Sequence, residues 1–77
     1  MTASELHHLL TSTLVRMRGG DRVRWRKAVG QIKVYPLSTH PHCNWDVRPA
    51  GSAAEIVAVE RAVDIVRGEH PYIEATR

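Results

Sequence analysis

Asp21-Arg22-Val23-Arg24-Trp25-Arg26-Lys27-Ala28-Val29-Gly30 reads in two ways, and the choice between them decides the fold. Taken in pairs, Val23 and Trp25 alternate with arginines, the pattern of a strand with one apolar face. Taken in threes and fours, Trp25, Ala28 and Val29 share one helical face. Asp21 is a good N-cap, because its carboxylate accepts a first-turn amide that has no partner within the helix, and Gly30 is a good stop. Arg, Lys and Ala also form helix more readily than strand. A short helix over residues 21–29 is therefore the expectation, and it gives the element order α-α-β-β-α. The strand reading would give α-β-β-β-α, with an arginine-studded sheet face.

Downstream, Gln31-Ile32-Lys33-Val34-Tyr35 alternates as a strand, with Ile32 and Val34 on one face. Pro36 has no amide to offer the ladder, and Leu37–His42 reads as a connecting loop kinked at Pro41. Cys43–Arg48 reads as the return strand, with Cys43, Trp45 and Val47 inward and Asn44, Asp46 and Arg48 outward. After the turn Pro49-Ala50-Gly51, Ser52-Ala53-Ala54-Glu55 is a capping box opening a helix to about Arg67. Ile56, Val59, Ala62, Val63 and Val66 form its core stripe, and Asp64 is spaced to pair with Arg67. Val57 falls out of phase, beside Arg61. Gly68 is read as the stop and Pro71 as the barrier to resumption, with Tyr72 and Ile73 packing briefly before residues 74–77 fray.

Upstream, Thr2-Ala3-Ser4-Glu5 is another capping box, and residues 2–17 read as a helix. Leu6, Leu9, Leu10, Thr13, Leu14 and Met17 step by three and four, and Gly19-Gly20 ends the run. The whole is a single small α+β domain over residues 1–77, its helices packed on one face of a hairpin.

A chain of 77 residues without phenylalanine has a small core, burying roughly 60 % of its unfolded surface. That leaves self-association open. The one cysteine makes no internal disulfide, no signal-like segment opens the chain, and no apolar run approaches the roughly 20 residues of a membrane span. The cytoplasm is the expected compartment. The charge is uneven: Arg16, Arg18, Arg22, Arg24, Arg26 and Lys27 face Asp21 alone, a surplus of five in a chain of net charge +3.

Three chemistries compete. Six cations within twelve residues offer phosphate contacts, with Trp25 as a stacking ring if it is not a core anchor. His40, His42 and Cys43 are borderline or soft metal ligands within four residues. They lack the paired spacing of a zinc site, and a turn with a buried thiol accounts for them as well. Cys43 with His40, His42, Asn44 or Asp46 is too local a set for nucleophilic catalysis, and the chain has little room for a substrate pocket. No catalytic residue and no cofactor is expected. The leading expectation is a small cytoplasmic protein-interaction module of unknown role, with nucleic-acid binding through residues 16–27 as the alternative. A metal or thiol site at His40, His42 and Cys43 ranks below both.

The order α-β-β-β-α is that of double-stranded-RNA-binding domains, but the second helix opens Gly51-Ser52-Ala53-Ala54-Glu55 where that family carries basic residues. The block Thr39-His40-Pro41-His42-Cys43-Asn44-Trp45, followed by a helix ending near His70-Pro71, resembles a family of small uncharacterised bacterial proteins. The resemblance spans about the second half of the chain. It implies a bacterial origin and no particular activity.

Overall fold

The computed structural model describes residues 1–74. Thr2 Oγ1 accepts from the Glu5 amide at 3.2 Å while Glu5 Oε1 accepts from the Thr2 amide at 2.8 Å, and helix α1 runs Ala3–Arg18. The same reciprocal pair, at 3.2 and 2.8 Å, joins Ser52 and Glu55 at the start of α3, Ala53–Glu69. Between them the ambiguous segment is helical: α2 spans Arg22–Val29, with Asp21 Oδ1 accepting from the Val23 amide at 3.0 Å. Strands β1 (Gln31–Val34) and β2 (Trp45–Arg48) complete the order α-α-β-β-α. They pair antiparallel, with Ile32 opposite Val47 and Val34 opposite Trp45.

Helix wins over strand in α2 because of what Trp25 reaches. Its ring is 2 % exposed, its Nε1–H donates to Gly19 O at 2.7 Å, and the Arg24 guanidinium lies over it at 4.8 Å. A strand would give Trp25 a buried face but would not set Ala28 and Val29 beside it, and both are buried. Gly30 then turns the chain into β1 with φ 71°, a region that favours glycine. A Cβ there would overlap the Arg48 carbonyl oxygen, so the close approach of α2 to the hairpin also requires glycine.

One apolar cluster joins all the elements. Leu6, Leu10 and Leu14 from α1 meet Trp25 and Val29, Trp45 and Val47, and the α3 stripe Val59, Ala62, Val63 and Val66. Trp45 is 2 % exposed and donates its Nε1–H to His70 O at 2.8 Å. Ala58 joins the α3 stripe, whereas Ile56 is half-buried at its edge. Met17 was expected in the α1 stripe but is exposed, because the chain turns away at Gly19 and leaves the last turn of α1 uncovered.

Three further expectations need correction. The helix α3 does not stop at Gly68, which has no positive φ; it runs to Glu69, and the His70 amide donates to Val66 O at 2.7 Å before Pro71 ends it. Arg67 does not pair with Asp64: its Nη2 lies 3.3 Å from Asp46 Oδ1 and its guanidinium sits 5.2 Å from the Trp45 ring centre. Trp45 thus draws Arg67 toward the sheet. Finally, the return strand begins at Trp45 and not at Cys43, and Asn44 is buried, not outward. Its side-chain amide brackets Ile73, donating to Ile73 O and accepting from Ile73 N, each at 2.8 Å. Its backbone amide donates to Pro71 O at 3.0 Å.

The C-terminal segment is thereby held against the hairpin, with Ile73 6 % exposed. Glu74 continues to the start of the chain, where its amide donates to Met1 O at 2.7 Å. Of residues 74–77, expected to fray, Glu74 is the one described and makes this contact, and residues 75–77 lie outside the described residues. No helix among the described residues is long and apolar enough to cross a membrane.

Candidate anion-binding face

The six basic residues of segment 16–27 are all exposed, but the fold divides them. Arg24 is committed to structure. Its Nε lies 2.7 Å from Glu55 Oε2, which ties α2 to the first turn of α3. The Arg24 hydrogen bond and the Ser52 amide push the Glu55 carboxyl down from the ordinary 4.5 to about 2. Arg16, Arg18, Arg22, Arg26 and Lys27 form no ion pair among the described residues. Asp21, the one acid within the segment, is occupied as the α2 cap.

Helical spacing sets the remaining geometry. Arg22 and Arg26 stand one turn apart on α2 and line a cleft of about 430 Å³ against α1 and the start of β1. Lys27 and Arg24 line the opposite side of α2, toward Glu55. On α1, His8, Ser12 and Arg16 step by four. Arg22 reaches the first two: its Nη2 lies 2.5 Å from Ser12 Oγ and 3.3 Å from His8 Nε2. Arginine only donates, so His8 Nε2 is the acceptor in that contact. His7, on the cleft wall, places its Nε2 3.1 Å from Gly30 O; a carbonyl only accepts, so His7 Nε2 carries the proton. No acidic side chain lines this cleft. A second cleft, of about 400 Å³ between β2 and α3, carries Asp46, Glu60 and Asp64 and has the opposite sign.

In the 39–43 block, His40 and Cys43 each take a separate local contact. The His40 ring stacks on Tyr35 with centroids 4.1 Å apart, and its Nδ1 lies 2.9 Å from Thr39 Oγ1. Both their amides donate to Pro36 O, which closes the turn. Cys43 is half-buried against the core and its thiol donates to Trp45 O at 3.4 Å. His42 is exposed. Tyr72 Oη hydrogen-bonds to Pro41 O and pins this loop to the C-terminal segment. No group of three or more His, Cys, Asp or Glu side chains is placed to hold a metal ion among the described residues.

Trp25 is buried and offers no open ring face for a base. The exposed cations therefore have no open aromatic ring of their own beside them for stacking. Sequence reasoning placed the cations but missed His8, Ser12 and Gln31 as their surroundings. The spacing His8–Ser12–Arg16 was the available signal, and only the position of α2 gives it meaning. Comparison with known proteins finds no matching family model, no matching curated protein and no matching solved structure.

Proposed function

We propose that this protein binds the phosphate backbone of a nucleic-acid duplex through Arg16, Arg18, Arg22, Arg26 and Lys27. The observation that carries this reading is that five exposed cations around the α1–α2 turn lack an acidic partner among the described residues. A solvated ion-pair network would have neutralised them, as Glu55 does Arg24. Backbone contact without base stacking makes the binding insensitive to sequence. The single cysteine fits a reducing compartment, so a cytoplasmic setting is part of the proposal.

Amide NMR of the whole chain, titrated with a short mixed-sequence duplex, tests the footprint. Shifts concentrated at residues 16–27 and His8, and removed by joint Arg16→Gln, Arg22→Gln and Arg26→Gln substitution, are expected. Shifts confined to α3, or none at low salt, would refute the reading.

A second reading rests on a different face. Val57, Arg61 and Ile65 step by four along α3, with Val57 48 % and Ile65 49 % exposed. That strip fits a small self-association contact. Sedimentation decides it: a concentration-dependent dimer that Ile65→Lys abolishes supports it, and a monomer at all concentrations removes it.

A further inference from the structure

We infer that the cleft between α1, α2 and the start of β1 is a site for a terminal phosphate monoester, the group on a nucleic-acid 5′ end or on a small phosphorylated metabolite. The inference deepens the nucleic-acid reading and shares Arg22 and Arg26 with it.

Four features converge. The cleft holds about 430 Å³, within the roughly 300–1,000 Å³ of small-ligand sites. Its lining includes His7, His8, Arg22 and Arg26, with no carboxylate among the lining residues. Ser4 and Gln31 add neutral polar groups at the rim. Arg22 and Arg26, one helical turn apart, both line the cleft, and a monoester has three terminal oxygens to receive guanidinium donors.

The existing contacts also show how a ligand would be accommodated. Arg22 Nη2 now donates to two neutral acceptors, Ser12 Oγ and His8 Nε2. A phosphate oxygen entering the cleft is a stronger acceptor and displaces His8 Nε2 from Arg22. His8, whose ring carries its N–H at Nδ1 when Nε2 accepts, is then free to turn that donor to the ligand, while His7 stays fixed by Gly30. A phosphodiester within a chain has only two free oxygens and is flanked by sugars on both sides. The concave site therefore favours an end over the middle of a strand.

The test uses the full chain and two duplexes of one sequence, one with a 5′-phosphate and one with a 5′-hydroxyl, followed by fluorescence anisotropy. Inorganic phosphate is titrated separately by NMR. The 5′-phosphorylated duplex is expected to bind about tenfold more tightly, the effect of one charge-assisted hydrogen bond. Arg26→Gln is expected to remove that ratio, whereas Lys27→Gln weakens both duplexes equally and leaves it. Inorganic phosphate is expected to move the His7, His8 and Gln31 signals in the parent chain and not in Arg26→Gln.

Equal binding of the two duplexes together with unmoved phosphate signals overturns the monoester site and leaves the basic-face reading standing. Phosphate signals that move without duplex binding support the site, assign it to a small phosphorylated molecule and remove the nucleic-acid reading. Phosphate shifts or a duplex preference that persist unchanged in Arg26→Gln overturn the site as described.

Discussion

At the scale of single residues, Asn44 does most to join distant parts of the chain. Its amide supplies both a donor and an acceptor to Ile73, so the side chain acts as a short piece of strand edge for the C-terminal segment. Asn44→Ala leaves the Ile73 amide and carbonyl unpaired at a buried position. Urea denaturation is expected to show a loss of about 2–4 kcal/mol; a loss under about 0.5 kcal/mol, the scale of an ordinary surface change, would show that the bracket contributes little. This role was illegible in the sequence. Period-two alternation sent Asn44 outward with Asp46 and Arg48, and the partner that makes its burial favourable lies 29 residues away. Cys43 and His40 show the same limit of local reading. Their closeness in sequence left a shared site as the lowest-ranked reading beside a turn with a buried thiol, and in the structure the thiol donates to Trp45 O and the imidazole stacks on Tyr35.

At the scale of elements, α1 and α3 were legible because their starts are local. Each capping box closes within four residues, so sequence alone contains both partners. The end of α3 was less legible, since Gly68 tolerates helix and only Pro71 forbids its continuation. The segment 21–30 held the real ambiguity, and the decision came from tertiary contacts of Trp25 and Arg24. The Arg24–Glu55 pair links α2 to α3 and gives a pH signature. The Glu55 carboxyl falls from 4.5 to about 2 on folding. A group with a lowered folded pKa stabilises the fold fully above its unfolded value and loses that contribution as pH falls through the folded value. The melting temperature of the parent chain is therefore expected to drop between about pH 5 and pH 2, and Glu55→Gln is expected to flatten that drop. Unchanged acid dependence in Glu55→Gln would show that the pair is not formed in solution. The cleft beside α2 was not legible, because His8 and Arg22 meet only after α2 folds back on α1 across Gly19-Gly20.

At the scale of the whole molecule, one apolar cluster serves every element. The fold therefore has no part that can unfold alone without exposing the core, and unfolding followed by tryptophan fluorescence and by helical circular dichroism is expected to coincide. Total stability for a domain this small is about 3–5 kcal/mol. Leu10 is fully buried, and Leu10→Ala is expected to cost about 2–5 kcal/mol. The thermal midpoint of that variant is therefore expected to fall steeply, as circular dichroism would record; an unchanged midpoint would contradict a single shared core.

The same compactness displays the charge. With Trp25 and Trp45 inside and Glu55 holding Arg24, the other five cations of segment 16–27 remain exposed without an acidic partner among the described residues. The salt dependence of duplex binding tests that arrangement most directly. Five phosphate contacts predict a slope of about −4 to −4.5 for log K against log salt concentration. A slope near zero, or no binding at low ionic strength, would contradict the claim that this face holds a phosphate backbone.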